Sequence, residues 1–191
     1  MTERRQYYRI DHPVVIEYQS VAESQVKQSP RPDQFAVSPY FLLQSQLRDI
    51  EAEASHYLHR LGEDQPAIEA CFNMLNRKIE LIASTLAADS FNLEQGQSQF
   101  INLSEGGLNF TCPDALEPEQ LLALKLVFTE TRLGMLLYAR VRRCQALPDA
   151  AGYEIGAEFL DMPESCRTQL ARLILDAQAR KRQQALDLTN E

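Results

Sequence analysis

Phe100-Ile101-Asn102-Leu103-Ser104-Glu105-Gly106-Gly107-Leu108-Asn109-Phe110 is the stretch that decides the fold. Phe100 to Leu103 reads as a short strand, Ser104 to Gly107 as a turn, and Leu108 to Phe110 as the strand resumed. Asn, Ser and Gly are the residue types a tight turn needs. The period of 2 continues downstream, where Leu122–Phe128, Met135–Val141 and Gly152–Phe159 read as further strands. Upstream, the β-branched and aromatic run Ile10–Tyr18 reads as another, with His12-Pro13 marking an edge or a strand start because proline donates nothing to a ladder. Many short strands separated by turn signals point to a small barrel or sandwich. Pro163 then opens a last helix with an apolar face of Cys166, Leu170, Leu173, Ile174 and Ala177, and Arg180-Lys181-Arg182 is expected at its basic C-terminal end.

Between the first and second strands the period changes. Residues 19–38 are polar, with Pro30 and Pro32, and read as a loop. Ser38-Pro39 supplies an N-cap followed by proline at the first helical position. Leu43, Leu47, Ile50, Ala54, Tyr57 and Leu61 then step by 4, 3, 4, 3, 4, and Gly62 reads as the stop. Pro66 starts a second helix in which Ile68, Phe72, Leu75, Ile79, Ile82 and Leu86 repeat the same steps. Two successive a/d stripes joined by a short turn predict a helical hairpin. Each stripe is too short for a self-sufficient coiled coil, so each helix needs partners beyond its hairpin mate: the rest of the domain, or another subunit.

Composition narrows the function. The chain has 191 residues, 45% of them apolar and 24% charged, which predicts one globular domain over 1–191. Lys plus Arg is 19 against 27 Asp plus Glu, a formal charge of −8 that makes a poor general binder of nucleic acid or anionic membrane. No apolar run reaches the roughly 18 residues of a membrane span, and no apolar stretch follows the basic N-terminal residues, so neither a signal peptide nor a membrane partner is expected and the cytoplasm is. Cys71, Cys112, Cys144 and Cys166 form no CxxC pair and are expected to be reduced and mostly buried. His56 and His59, three apart on the first long helix with Glu53 a turn before, could hold a metal, but surface His and Glu on a helix are commoner and no metal is expected. No GxSxG, P-loop or HExxH occurs, and nothing pairs a Ser or Cys with a base, so an enzyme is not expected.

Two motifs remain. Arg4-Arg5-Gln6-Tyr7-Tyr8-Arg9 contains an RxxxR framed by Arg5 and Arg9, and Asn102-Leu103-Ser104-Glu105-Gly106-Gly107 is an NxSxxG. Each alone is a solvated basic arm or an ordinary turn. Together, flanking the first two strands of a barrel pattern and followed by Leu121–Phe128, Ala139-Arg140-Val141-Arg142 and Tyr153–Asp161, they make the sequence resemble the PilZ domain family over residues 4–18 and about 98–180. The resemblance implies an α+β, mainly β fold: a six-stranded antiparallel barrel with an inserted helical hairpin over 38–88 and a C-terminal helix over 163–184. It implies a non-enzymatic receptor for cyclic di-GMP, acting on a motility, surface or biofilm partner, with Arg5 and Arg9 in the RxxxR role and Asn102, Ser104 and Gly107 in the second motif. The chemistry agrees: a guanidinium pairs with phosphate or with guanine O6 and N7 and stacks on a purine. Asn102 can accept from guanine N–H groups, Ser104 can do likewise or hold the turn, and Gly107 would permit φ > 0 or close approach of the ligand. Arg4, just before the RxxxR, implies two ligand molecules per site, and Arg140 is a further candidate that can equally face outward from a sheet. No cofactor beyond the ligand is expected. An ordinary member joins its first two strands by a short hairpin. The insertion here narrows the resemblance to an atypical subgroup with heptad helices, and a homo-oligomer, dimer or tetramer, is expected. The alternative is a ligand-independent oligomeric scaffold acting through the insertion.

Overall fold

In the computed structural model, residues 8–90, 97–131, 133–148 and 151–187 are described. The chain runs β1 (Ile10–Ser20), α1 (Glu23–Gln28), α2 (Pro39–Asp64), α3 (Pro66–Ser90), β2 (Ser98–Ser104), β3 (Gly107–Cys112), β4 (Leu121–Phe128), β5 (Leu133–Ala146), β6 (Tyr153–Leu160) and α4 (Glu164–Asp187). The strands close into an antiparallel barrel in the order β1-β2-β3-β6-β5-β4. β1 is shared between two neighbours: Ile10 to Val15 pair with β2, and Val15 to Ser20 pair with β4. Pro13 lies in the half that pairs with β2 alone, where a missing N–H is tolerated.

Alternation fills the interior. Val14, Leu103, Leu108, Leu124, Phe128 and Ile155 are fully buried in one cluster, and α4 adds Cys166, Leu170, Leu173 and Ile174 to it. β4 is buried on its outer face as well, which is why it reads as an unbroken apolar run rather than an alternating one. Phe35 covers Ala123 and Tyr138, and Phe41 covers Val15 and Val127. Lys125 on that face is buried, and its Nζ donates to Glu17 Oε1 at 3.0 Å and to the Ala36 carbonyl at 3.1 Å, so the charge is paired where it is desolvated.

Three expectations are corrected. Residues 19–38 are not all loop, because α1 forms within them. Val21 and Val26 pack on the Ala123–Tyr138 patch, Gln25 Oε1 accepts from the Ala22 N–H at 2.9 Å, and Glu23 pairs with Lys27 one turn on. Gly62 does not end α2, which continues to Asp64. Gln65 ends it, because it precedes Pro66 and is driven from helical angles to φ −140°, ψ 74°. α4 runs past Arg180-Lys181-Arg182 to Asp187, so those residues do not form its last turn.

α2 begins as expected, with Ser38 Oγ accepting from the Phe41 N–H at 3.2 Å and Pro39 at the first position. α3 packs along α2, yet the apolar stripes stay open. Ile50, Tyr57, Phe72, Leu75, Ile79 and Ile82 are all exposed. Of the cysteines, Cys112 and Cys166 are buried, Cys144 is half-buried and Cys71 is exposed on α3. Among the described residues no helix is long and apolar enough to cross a membrane.

Candidate functional site

Inward placement of Ile101, Leu103, Leu108, Phe110, Ile155 and Ala157 turns the residues between them outward. On that outer face Asn102 pairs with Asn109, Asn109 with Gly156, and Gly107 with Glu158. Gly107 and Gly156 leave a depression where neighbouring positions carry side chains. It is an open cavity of about 460 Å³ lined by Arg9, Asn102, Ser104, Gly106, Gly107, Asn109, Arg142, Arg143, Gly156, Ala157 and Glu158.

The turn motif builds the cavity floor. Ser104 is buried and its Oγ donates to the Gly107 carbonyl at 3.1 Å, which holds the turn. At Gly107 the close approach is of the neighbouring strand rather than a matter of positive φ. A Cβ there would lie 2.2 Å from the Ala157 carbonyl oxygen and 3.1 Å from Glu158 Cα. Asn102 stands at the rim. Its Oδ1 accepts from Arg9 Nη1 at 2.9 Å, and its Nδ2 donates to Asp11 Oδ1 at 2.8 Å.

The far wall comes from an irregularity in β5. Val141 pairs with Ala157 and Arg143 with Gly156, so Arg142 is an extra residue in a β-bulge. Val141 and Cys144 both pack on the core, which leaves Arg142 and Arg143 together on the outer face. Arg142 Nε donates to Glu158 Oε2 at 2.7 Å and its Nη1 pairs with Glu119 Oε1. These carboxylates, Glu158 first and Glu119 second, hold the guanidinium proton more tightly than usual. Arg143 Nη2 donates to Glu154 Oε2 at 3.2 Å, and Asn109 Nδ2 donates to the other oxygen of the same carboxylate.

The structure thus gathers Arg9, Asn102, Ser104 and Gly107 in one place. Arg4 and Arg5 lie outside the described residues. Arg140 is not brought to the cavity. It faces outward into a separate groove beside α1 with Lys27, Leu121 and Asp161, and its Nη1 donates to Glu119 Oε2 at 3.4 Å. Arg142, Arg143, Asn109 and Glu158 were not singled out from sequence. The readable signal was Val141-Arg142-Arg143-Cys144, where two successive charges between inward residues break the period of 2. The side chains of His56 and His59 are outside the described set, and among the described residues no three His, Cys, Asp or Glu are grouped to hold a metal ion.

Planar guanidinium donors, carboxamides and a glycine floor suit a flat, hydrogen-bonding ring system that carries negative charge. Residues 83–176 match the family model of the PilZ domain. Among solved structures, the chain resembles a pathogenic protein from Xanthomonas campestris, described as a tetrameric PilZ domain self-assembled via a helical bundle. The TM-score is 0.51 at 14% identity, over 92% of this chain and 89% of that one. It also resembles the Bacillus subtilis inhibitor of motility MotI/DgrA, with a TM-score of 0.48 at 14% identity over 95% of this chain, which spans 54% of that protein. Likeness at this level of identity concerns the fold. No curated protein matches the chain.

Proposed function

We propose, proceeding from the PilZ domain that this chain carries, that it is a non-enzymatic receptor for cyclic di-GMP. The observation that supports this best is one cavity bringing Arg9 of the N-terminal arm, Asn102 of the NxSxxG turn and the bulge pair Arg142 and Arg143 around a glycine floor. Cyclic di-GMP offers two phosphates and two guanines. The arginines would take phosphate oxygens or guanine O6 and N7, and Asn102 would exchange Arg9 and Asp11 for guanine groups. Arg4 and Arg5 would fold over the ligand from outside, with the ordering entropy of the arm charged against affinity. Ser104 and Gly107 would act by keeping the floor in shape.

The exposed stripes of α2 and α3 support a second element of the proposal, a homo-oligomer formed through the helical insertion in the cytoplasm. Ile50 and Ile82 are each 62% exposed, which is costly for a pair of regularly spaced aliphatic residues unless another surface covers them. The receptor would pass ligand binding on to a protein partner by ordering the arm, limited by the ligand's differential affinity for the two states. The competing reading is a scaffold that assembles through the same helices and ignores the ligand. In its favour, Arg142 and Arg143 are already engaged by carboxylates.

Calorimetric titration with cyclic di-GMP separates them, with the Arg5→Ala/Arg9→Ala variant alongside. Saturable binding abolished in the variant is the expected result, and the molar ratio distinguishes one ligand from two per chain. Sedimentation of the variant should be unchanged. Absence of both heat and thermal shift at saturating ligand would leave the scaffold.

A further inference from the structure

We infer that Glu158 is a specificity-determining residue of this cavity, reading the guanine base and rejecting adenine. The inference rests on the proposal that the cavity takes a cyclic dinucleotide. Among the described residues Glu158 is the one carboxylate lining it. An acidic group in an anion-binding cavity weakens phosphate attraction, so its presence calls for a compensating role.

Holding Arg142, which Glu158 does ahead of Glu119, occupies only one of its two carboxylate oxygens and so is an incomplete account of that role. Position and open capacity give a better one. Glu158 sits across from Gly107 in the β3–β6 pairing, so no cross-strand side chain stands between its carboxylate and the cavity floor. Its Oε2 accepts from Arg142 Nε at 2.7 Å, while its Oε1 takes no hydrogen bond from the described residues. Donor and acceptor therefore stand side by side at the wall.

Guanine presents the complement: O6 as acceptor beside N1–H and the N2 amino group as donors. A carboxylate accepts and cannot donate, so it matches those two N–H groups. Adenine carries an unprotonated N1 at the corresponding position, which a carboxylate repels. The Glu158 side chain is 51% exposed in the free cavity, so the base itself must cover the carboxylate, and discrimination comes from leaving it mispaired once covered in the wrong complex.

The test is Glu158→Gln in the full chain, titrated by calorimetry with cyclic di-GMP and with cyclic di-AMP. Glutamine keeps the shape and can still accept from Arg142, but it turns one oxygen into an N–H donor that opposes guanine and suits adenine. The expected result is about 10- to 100-fold weaker cyclic di-GMP binding, with the guanine-to-adenine preference falling by a similar factor and the melting temperature unchanged. An unchanged preference overturns the inference while leaving the receptor proposal intact. So does tighter binding of both dinucleotides, the mark of a carboxylate that only competes with phosphate for Arg142. Failure of the unaltered chain to bind cyclic di-GMP removes the receptor proposal and this inference together.

Discussion

Leu124 of β4 and Ile82 of α3 are aliphatic side chains of the same size with opposite surroundings, 0% exposed in the barrel and 62% exposed on the helical hairpin. The difference lies in what each region needs from outside the chain. The barrel closes on itself, so no strand edge is left over, and α4 and the Phe35–Phe41 segment cover what alternation leaves apolar. The hairpin is anchored where α2 meets α4 and β5, yet its stripe residues Ile50, Tyr57, Phe72, Leu75, Ile79 and Ile82 stay exposed. Under the proposal above, the region that finishes its packing internally holds the site, and the one that leaves its stripes open meets another surface.

The sharpest way to break that comparison is to remove volume from both regions. Phe128→Ala in the barrel should cost about 3–5 kcal/mol in urea denaturation. Ile82→Ala should stay within about 0.5 kcal/mol at concentrations below self-association. If the two costs are alike, the hairpin shares the barrel's core and the distinction fails. Ile79→Glu/Ile82→Glu sharpens the same point: the barrel should melt as before while sedimentation moves to the monomer and the dependence of Tm on protein concentration disappears.

The next effect belongs to the cavity floor. Gly107→Ala would press a methyl group against backbone atoms, the Ala157 carbonyl above all, which no rotamer change can relieve. The expected cost is about 1–3 kcal/mol by denaturation. A smaller one lies at the joint between the regions. Ser38 caps α2 where the barrel's covering segment becomes the hairpin, and Ser38→Ala should cost about 1 kcal/mol in the same measurement. A null result at Ser38 would mean that packing of Tyr40 and Phe41 alone fixes the start of α2.

The barrel was the more legible region because its signals are local. Period 2 around Ser104–Gly107 located the hairpin that carries the site, and Ser38-Pro39 and Pro66 located the two long helices. What escaped depends on tertiary surroundings. α1 rests on Val21 and Val26 meeting a patch that exists only once β4 and β5 are paired. The continuous burial of β4 needs Phe35 and Phe41 from about 90 residues away in sequence. Gly62 is a common helix stop, but Pro66 dictated the boundary through the residue before it. In the site, Arg9, Asn102, Ser104 and Gly107 were readable from motif spacing. Arg142, Arg143 and Glu158 were not, because a bulge moves its residues by one register and a cross-strand glycine opens space that linear sequence does not display.

The least disruptive prediction uses pH to ask whether the barrel wall excludes solvent as its packing implies. Tyr18 of β1 lies against Phe110, with ring centroids 5.4 Å apart. Its pKa is pushed up to about 12, first by burial, then by its hydrogen bond with Cys112 and the nearby charges of Cys112 and Asp114. Burial likewise raises the Cys112 thiol and, on the outer face under Val26 and Phe35, Tyr138. In the unfolded chain a tyrosine ionises at about 10. From about pH 10 to about 12 the folded state therefore holds the Tyr18 proton that the unfolded state has released. Its contribution is complete below the first value and lost as the second is approached, so stability falls with rising pH in that window. The urea midpoint measured from pH 9 to 11.5 should decline, and Tyr18→Phe should decline less steeply while starting from a similar value at pH 9. Equal slopes would mean that water reaches the Tyr18 hydroxyl, and that the barrel is less closed at that point than its neighbours Phe110 and Cys112 imply.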